Sequence, residues 1–150
     1  MKILKIIAVV LLIAFIGIQF LPKQINKSET TSKADFLVVN KVPANIKNKL
    51  QVSCYDCHSN NTRYPWYNKI QPAAMFLENH VKGGKKELNF SEWDSLSVRR
   101  KKSKLKAIIN QLKDDQMPLS SYTIIHTDAK FTVAEKQEMI QWMTQKKDSL

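Results

Sequence analysis

Cys54-Tyr55-Asp56-Cys57-His58 sets two thiols three residues apart and an imidazole directly after the second. The chain's 150 residues contain no other cysteine. This spacing, CxxCH, is that of c-type haem attachment. The two thiols add to vinyl groups on one edge of the porphyrin, and the adjoining imidazole reaches the iron as its proximal ligand. One helical turn separates the sulfurs enough to meet two points on that edge, so a helix is expected across the motif. Other chemistries of CxxC find less support. A zinc site would use a second CxxC or a nearby Cys/His pair, and a thioredoxin-like dithiol would sit in a strand–loop–helix setting. Neither surrounds this motif. The cofactor expected is one covalent haem c, bound through Cys54, Cys57 and His58.

Iron held by His58 takes a second axial ligand or keeps an open face. Met117 is the leading candidate, in the run Asp114-Asp115-Gln116-Met117-Pro118-Leu119 after a helical stretch. The proline stiffens the arm, and thioether ligation raises the reduction potential, which suits an electron carrier. Met75, Met139 and Met143 read as packing residues on apolar helix faces. His80 is the main competitor. It shares a helical stripe with Ala73, Phe76, Leu77 and Val81, and would give bis-histidine iron. His126 is a weaker candidate, in a loop after Tyr122-Thr123-Ile124-Ile125. In Arg63-Tyr64-Pro65-Trp66-Tyr67, Arg63 is placed to pair with a haem propionate. Trp66 is placed to donate to a propionate or to wall the ring.

The elements that position these residues read as helices. Pro43 opens a helix from Ala44 to Ser53 that leads into the motif, and Ser59-Asn60-Asn61-Thr62 follows as a turn. A second helix runs from Pro72 to about Lys82, stopped by Gly83-Gly84. Ser91 is the expected N-cap of a third, which carries Leu105, Ile108, Ile109 and Leu112 at helical spacing. Thr132 and Glu135 form a capping box for a last helix over 133–146. Only Phe36 to Val39 and Tyr122 to Ile125 have β character. The expected fold is all-α: a small cytochrome c-like helical domain around one covalent haem.

Ahead of it, Ile3 to Leu21 is apolar apart from Lys5, Gly17 and Gln19. Nineteen helical residues rise about 28 Å, near the thickness of a bilayer's hydrocarbon core. Lys2 and Lys5 supply a basic flank, and no A-x-A-like cleavage site closes the run. The expectation is an uncleaved transmembrane helix over 1–21, a polar linker over 22–42 and the haem-binding domain over 43–150. Lys23, Lys27 and Lys33 leave the positive-inside comparison undecided. Haem c attachment outside the cytoplasmic membrane then gives a single-pass protein whose domain faces the periplasm. The net charge is +11, from 24 basic and 13 acidic side chains. On a tethered domain that excess favours an acidic redox partner or anionic headgroups over nucleic acid. The run Arg99-Arg100-Lys101-Lys102-Ser103-Lys104 reads as a solvated face.

Four stretches carry a resemblance: CYDCHSNNTRYPWY (54–67), HVKGGKKELNFSEW (80–93), MPLSSYTIIHTDAK (117–130) and EKQEMIQW (135–142). In this order they resemble the haem-binding domain family built around a single CxxCH followed by a YPW motif. The resemblance implies a small c-type haem domain with an electron-transfer role, in which Cys54 and Cys57 are the attachment sites. It makes His58 the proximal and Met117 the distal ligand.

The expected function is a membrane-anchored, extracytoplasmic monohaem electron carrier with His58/Met117 iron. The alternatives are a peroxidase-like enzyme, in which His80 would serve as the acid/base group, and a gas or redox sensor with an open or bis-histidine distal site. No nucleophile with a partnered base and no second haem motif is present, so electron transfer is favoured over catalysis.

Overall fold

A computed structural model of the protein describes residues 1–28 and 30–150. Its α-helices are α1 (Lys2–Ile18), α2 (Phe36–Val39), α3 (Ala44–Leu50), α4 (Asp56–His58), α5 (Ala73–Glu87), α6 (Val98–Lys113), α7 (Ser120–Thr123) and α8 (Val133–Asp148). A π turn, Gln51–Tyr55, joins α3 to α4, and 3-10 turns cover Trp66–Lys69, Phe90–Ser95 and Thr127–Ala129. Among the described residues there is no strand, only one antiparallel bridge between Lys27 and Asn61. The protein is all-α, as its periodicity predicts.

The core follows from two amphipathic helices. Leu105, Ile109 and Leu112 are buried along one face of α6, and Met139 and Met143 along one face of α8. These are i, i+4 and i+7 positions, the stripe one helix shows another. Ile46 and Leu50 of α3 join them, with Phe36, Phe90 and Trp93. Phe36 is central: its ring lies 5.2 Å from Phe90, 4.7 Å from Trp93 in edge contact, and 5.8 Å from Trp142. The stretch 22–42 therefore does more than connect, since it delivers this wholly buried aromatic. Asp35 caps α2, its Oδ1 accepting from Leu37 N at 2.9 Å and from the Tyr55 hydroxyl at 2.9 Å. That cap starts a helical turn at Phe36–Val39 despite the β-branched residues there.

Three boundaries differ from the local signals. The helix beginning at Ala73 passes through Gly83-Gly84 to Glu87, because Gly84 is used for close packing and not as a terminator. A Cβ at Gly84 would sit 2.7 Å from the Cys57 carbonyl oxygen. Ser91 opens no long helix. It lies in the 3-10 turn Phe90–Ser95, and α6 is capped by Ser97, whose hydroxyl accepts from Arg100 N at 3.4 Å. Tyr122 and Thr123 lie in α7, and Ile124 and Ile125 follow in a turn instead of extending. The capping box is present as read, with Glu135 N donating to Thr132 Oγ1 at 3.2 Å and Thr132 N to Glu135 Oε2 at 2.8 Å.

The N-terminal segment requires a correction. α1 is 17 residues long, Lys2–Ile18, and no helix among the described residues is long and apolar enough to cross a membrane. Gln19 ends it. Its side-chain amide donates to Phe15 O at 3.0 Å and to Gln71 O at 3.2 Å, while its Oε1 accepts from Gln71 N at 3.0 Å. Phe20 and Leu21 leave the helix in a turn, so the apolar run of nineteen is not one helical rod. The expectation of a single-pass transmembrane helix at the cytoplasmic membrane, with the domain facing the periplasm, is overturned by this.

Candidate haem-binding site

Cys54, Cys57 and His58 lie on one continuous helical path, from α3 through the π turn into α4. Ile46 and Leu50 bury the upstream half in the core, and a π turn allows the chain to change phase before α4. Ser53 ties the turn to the far side of the domain, its hydroxyl donating to Ala129 O at 2.9 Å. Both cysteines are free thiols and half-buried. Burial pushes the Cys54 thiol up to about 12, with Cys57 adding to the effect, and pushes the Cys57 thiol up to about 11, with Asp56 adding. Both are therefore neutral thiols at neutral pH.

The last turn of α5 orients His58. Its Nδ1 donates to Gly84 O at 2.8 Å and lies 3.1 Å from Leu88 O. Among the described residues Nε2 has no hydrogen-bond partner. Burial lowers the imidazole's pKa while the two carbonyls oppose that shift. The result is a neutral ring with a fixed tautomer and a free Nε2, the state in which histidine binds a metal.

Beside Nε2 runs a cleft in two connecting lobes. One, of about 250 Å³, is lined by Leu50, Cys54, His58, Ile108, Met117 and Phe131 among others. The other, of about 360 Å³, is lined by Cys57, His58, His80, Gly84, Met117 and Tyr122 among others. Ser53, Cys54, His58, Glu87, Met117 and Pro118 belong to both. A largely apolar cleft with a few convergent polar groups is the usual character of a cofactor site. Its donor set suits haem: an oriented imidazole, a thioether and two thiols in one apolar slot. The zinc alternative gains nothing, since no cluster of three or more His, Cys, Asp or Glu is assembled among the described residues.

Met117 reaches the cleft from the end of α6. Gln116 N and Met117 N donate to Gln111 O at 2.9 and 3.3 Å, and Asp115 N to Leu112 O at 3.4 Å. Asp115 takes the left-handed conformation, φ 53°. This is a Schellman turn, which reverses the chain and brings Met117 back across the helix end. His80 also lines the cleft, its Nδ1 donating to Phe76 O at 2.8 Å. Met139 and Met143 pack in the core, whereas Met75 and Phe76 are largely exposed. The α5 stripe is thus only partly interior.

Arg63 and Trp66 are not brought to the cleft. Arg63 does not line it and is held by Asp56, its Nε 3.3 Å from Asp56 Oδ1. Trp66 is 72 % exposed and rests edge-on against Tyr67. The basic side chain that does line the cleft is Lys104 of α6. It belongs to the run read as a solvated face, and its ammonium donates to Glu87 O. Asp56, inside the CxxCH, is also unforeseen. It is 5 % exposed; Oδ1 accepts from Arg63 N at 3.0 Å, and Oδ2 from the Tyr122 hydroxyl at 2.7 Å. Thr62 Oγ1 donates to its carbonyl at 2.6 Å. Burial, then the hydrogen bond to Asp56 and the Asp56 charge, raises the Tyr122 phenol's pKa and keeps it protonated. His126 stacks on Tyr122 at 4.2 Å between centroids and bonds the Tyr67 hydroxyl at 2.9 Å. The one sequence signal for these partners is a carboxylate between two cysteines, a place where it gains only by being neutralised.

A family model described as a haem-binding domain matches residues 13–145. No curated protein and no solved structure matches the chain. The match covers the CxxCH helix, the cleft and the Met117 turn together, and the chain belongs to the haem-binding domain family.

Proposed function

We propose that the protein is a monohaem c-type cytochrome that carries single electrons, with haem joined through Cys54 and Cys57 and its iron between His58 and Met117. The observation that carries this reading is the fixed imidazole: Nδ1 is committed to Gly84 O and Leu88 O, and His58 lines one cleft with two thiols and a thioether. When bound, haem supplies reversible one-electron chemistry, and a thioether ligand favours its reduced form. The protein's part is to hold the ligands and exclude water. Leu50, Ile108, Leu112, Phe131 and Met139 give one lobe its apolar wall, and a low-dielectric wall raises the cost of the more charged, oxidised state. Lys104 in the wall acts in the same direction and is a suitable partner for a propionate.

An acidic protein partner suits the surroundings. A groove next to the cleft is lined by four basic side chains, Lys85, Lys86, Arg100 and Lys104, against two acidic ones, Glu87 and Glu92, and the chain's net charge is +11. Positive potential at a cofactor edge accelerates encounter with an acidic surface.

The test is an optical spectrum of protein produced with the haem-attachment machinery, in both oxidation states, with and without carbon monoxide. The wild type is expected to be low-spin, with a sulfur-to-iron charge-transfer band and no carbon monoxide response. Met117→Ala is expected to lose the band, bind carbon monoxide and lower the potential. An unchanged Met117→Ala spectrum would sink the ligand assignment. His80 is the residue then indicated, since it lines the same lobe with its Nδ1 already committed to Phe76 O.

A further inference from the structure

We infer that Asp56 and Tyr122 are positioning residues, forming a clamp that sets where the Met117 thioether sits in the cleft. The inference rests on Met117 being the axial ligand. The arm that carries Met117 is tied at both ends. Upstream, Gln116 N and Met117 N are held by Gln111 O at the end of α6. Downstream, five residues further on, the Tyr122 hydroxyl donates to Asp56 Oδ2 at 2.7 Å and lies 3.3 Å from Val52 O. Asp56 lies between Cys57 and Tyr55, on the same rigid turn that carries His58. The clamp thus joins the helix bearing one ligand to the loop bearing the other, across 66 residues of sequence.

The carboxylate's remaining capacity is already used. Arg63 N donates to Oδ1 at 3.0 Å, Arg63 Nε lies 3.3 Å from Oδ1 and its Nη2 3.4 Å from Oδ2. Arg63 therefore neutralises a charge that would otherwise be costly at 5 % exposure. This leaves the short Tyr122 bond as the carboxylate's one link to the Met117 loop. A hydrogen bond to a charged, buried acceptor is among the stronger ones in a protein. Weakening it frees the arm without touching either ligand.

Tyr122→Phe removes the hydroxyl and keeps the ring that stacks on His126. In the ferric holoprotein, added imidazole competes with the thioether for iron, so its affinity reads how firmly Met117 is held. Tyr122→Phe is expected to bind imidazole about tenfold more tightly than the wild type, with a weaker sulfur-to-iron band, at a temperature where both are folded. Tyr55→Phe is the control. It deletes a hydroxyl that donates to a different buried carboxylate, Asp35 Oδ1, at 2.9 Å, and is expected to leave imidazole affinity at the wild-type value. Unchanged affinity in Tyr122→Phe, or an equal rise in Tyr55→Phe, overturns the clamp. Met117→Ala separates the two levels. If it binds imidazole tightly while Tyr122→Phe does not, the clamp alone fails. If Met117→Ala matches the wild type, the ligand assignment fails and takes the clamp with it.

Discussion

Gly84 does two jobs at one position, and its absent side chain matters to both. Its carbonyl accepts from His58 Nδ1 at 2.8 Å, and its Cα faces the Cys57 backbone so closely that a Cβ would lie 2.7 Å from the carbonyl oxygen. The obstacle is backbone within the helical motif, which cannot swing aside as a long side chain would. Gly84→Ala is expected to destabilise the protein by about 1–3 kcal/mol and to shift the reduction potential, because α5 moves away from the ring it orients. Gly83, with open space around it, is the comparison. Gly83→Ala should be neutral or slightly stabilising in the helix interior. Denaturant melts on the two alanine variants check the stability difference and potentiometry on Gly84→Ala the shift, and equal melts would remove the close-approach argument. A pair of glycines after a helical stretch reads locally as a stop signal. What the second one answers to is a carbonyl 27 positions earlier, and no window along the chain contains both.

The helices divide in the same way between what local rules settle and what they do not. The α8 capping box, the buried faces of α6 and α8 and the helical path into the CxxCH are short-range patterns, and they are legible for that reason. The ends of α1, α5 and α6 are decided by partners from distant segments or by turn geometry. Gln19 stops α1 by bonding Gln71, 52 residues away, so an apolar run that looks long enough for a span becomes a shorter helix. Arg63 is held by Asp56, a carboxylate whose burial the sequence does not display. The Schellman turn after α6 is an intermediate case. Asp115 is exposed, adopts φ 53°, and pairs with Lys136 at 2.5 Å. Asp115→Gly and Asp115→Ala both lose that pair, but only alanine retains the left-handed penalty. The glycine variant is expected to exceed the alanine variant in stability by about 1 kcal/mol. Thermal melts of both would show it, and coincident curves would contradict a left-handed residue at this turn.

The segment before Pro43 belongs to the core of the domain. Phe36 is wholly buried amid Phe90, Trp93 and Trp142. Asn26 bonds the loop after the motif, its Nδ2 donating to Ser59 O and to Thr62 Oγ1 at 2.9 Å each. Phe36→Ala is therefore expected to cost about 3–5 kcal/mol, enough to unfold much of a marginally stable domain. Circular dichroism of the variant tests this; a loss below about 1 kcal/mol would mean that the segment only rests on the surface. The all-helical class was readable from periodicity. The contribution of residues 22–42 was not, because four consecutive residues, Phe36 to Val39, carry too short a pattern to separate helix from strand.

The π turn at Gln51–Tyr55 bears on how such a site can arise and change. A π turn accommodates one residue more than an α turn while the helix continues on either side. Ile46 and Leu50 keep their seats in the core upstream, and Cys57 and His58 keep theirs downstream. Cys54 falls within the five residues that take up the surplus. One inserted codon is enough to make such a turn, and one deleted codon enough to erase it. A surplus residue is thus absorbed at the turn that carries Cys54, and the core-seated and cofactor-facing halves of the helix both keep their places.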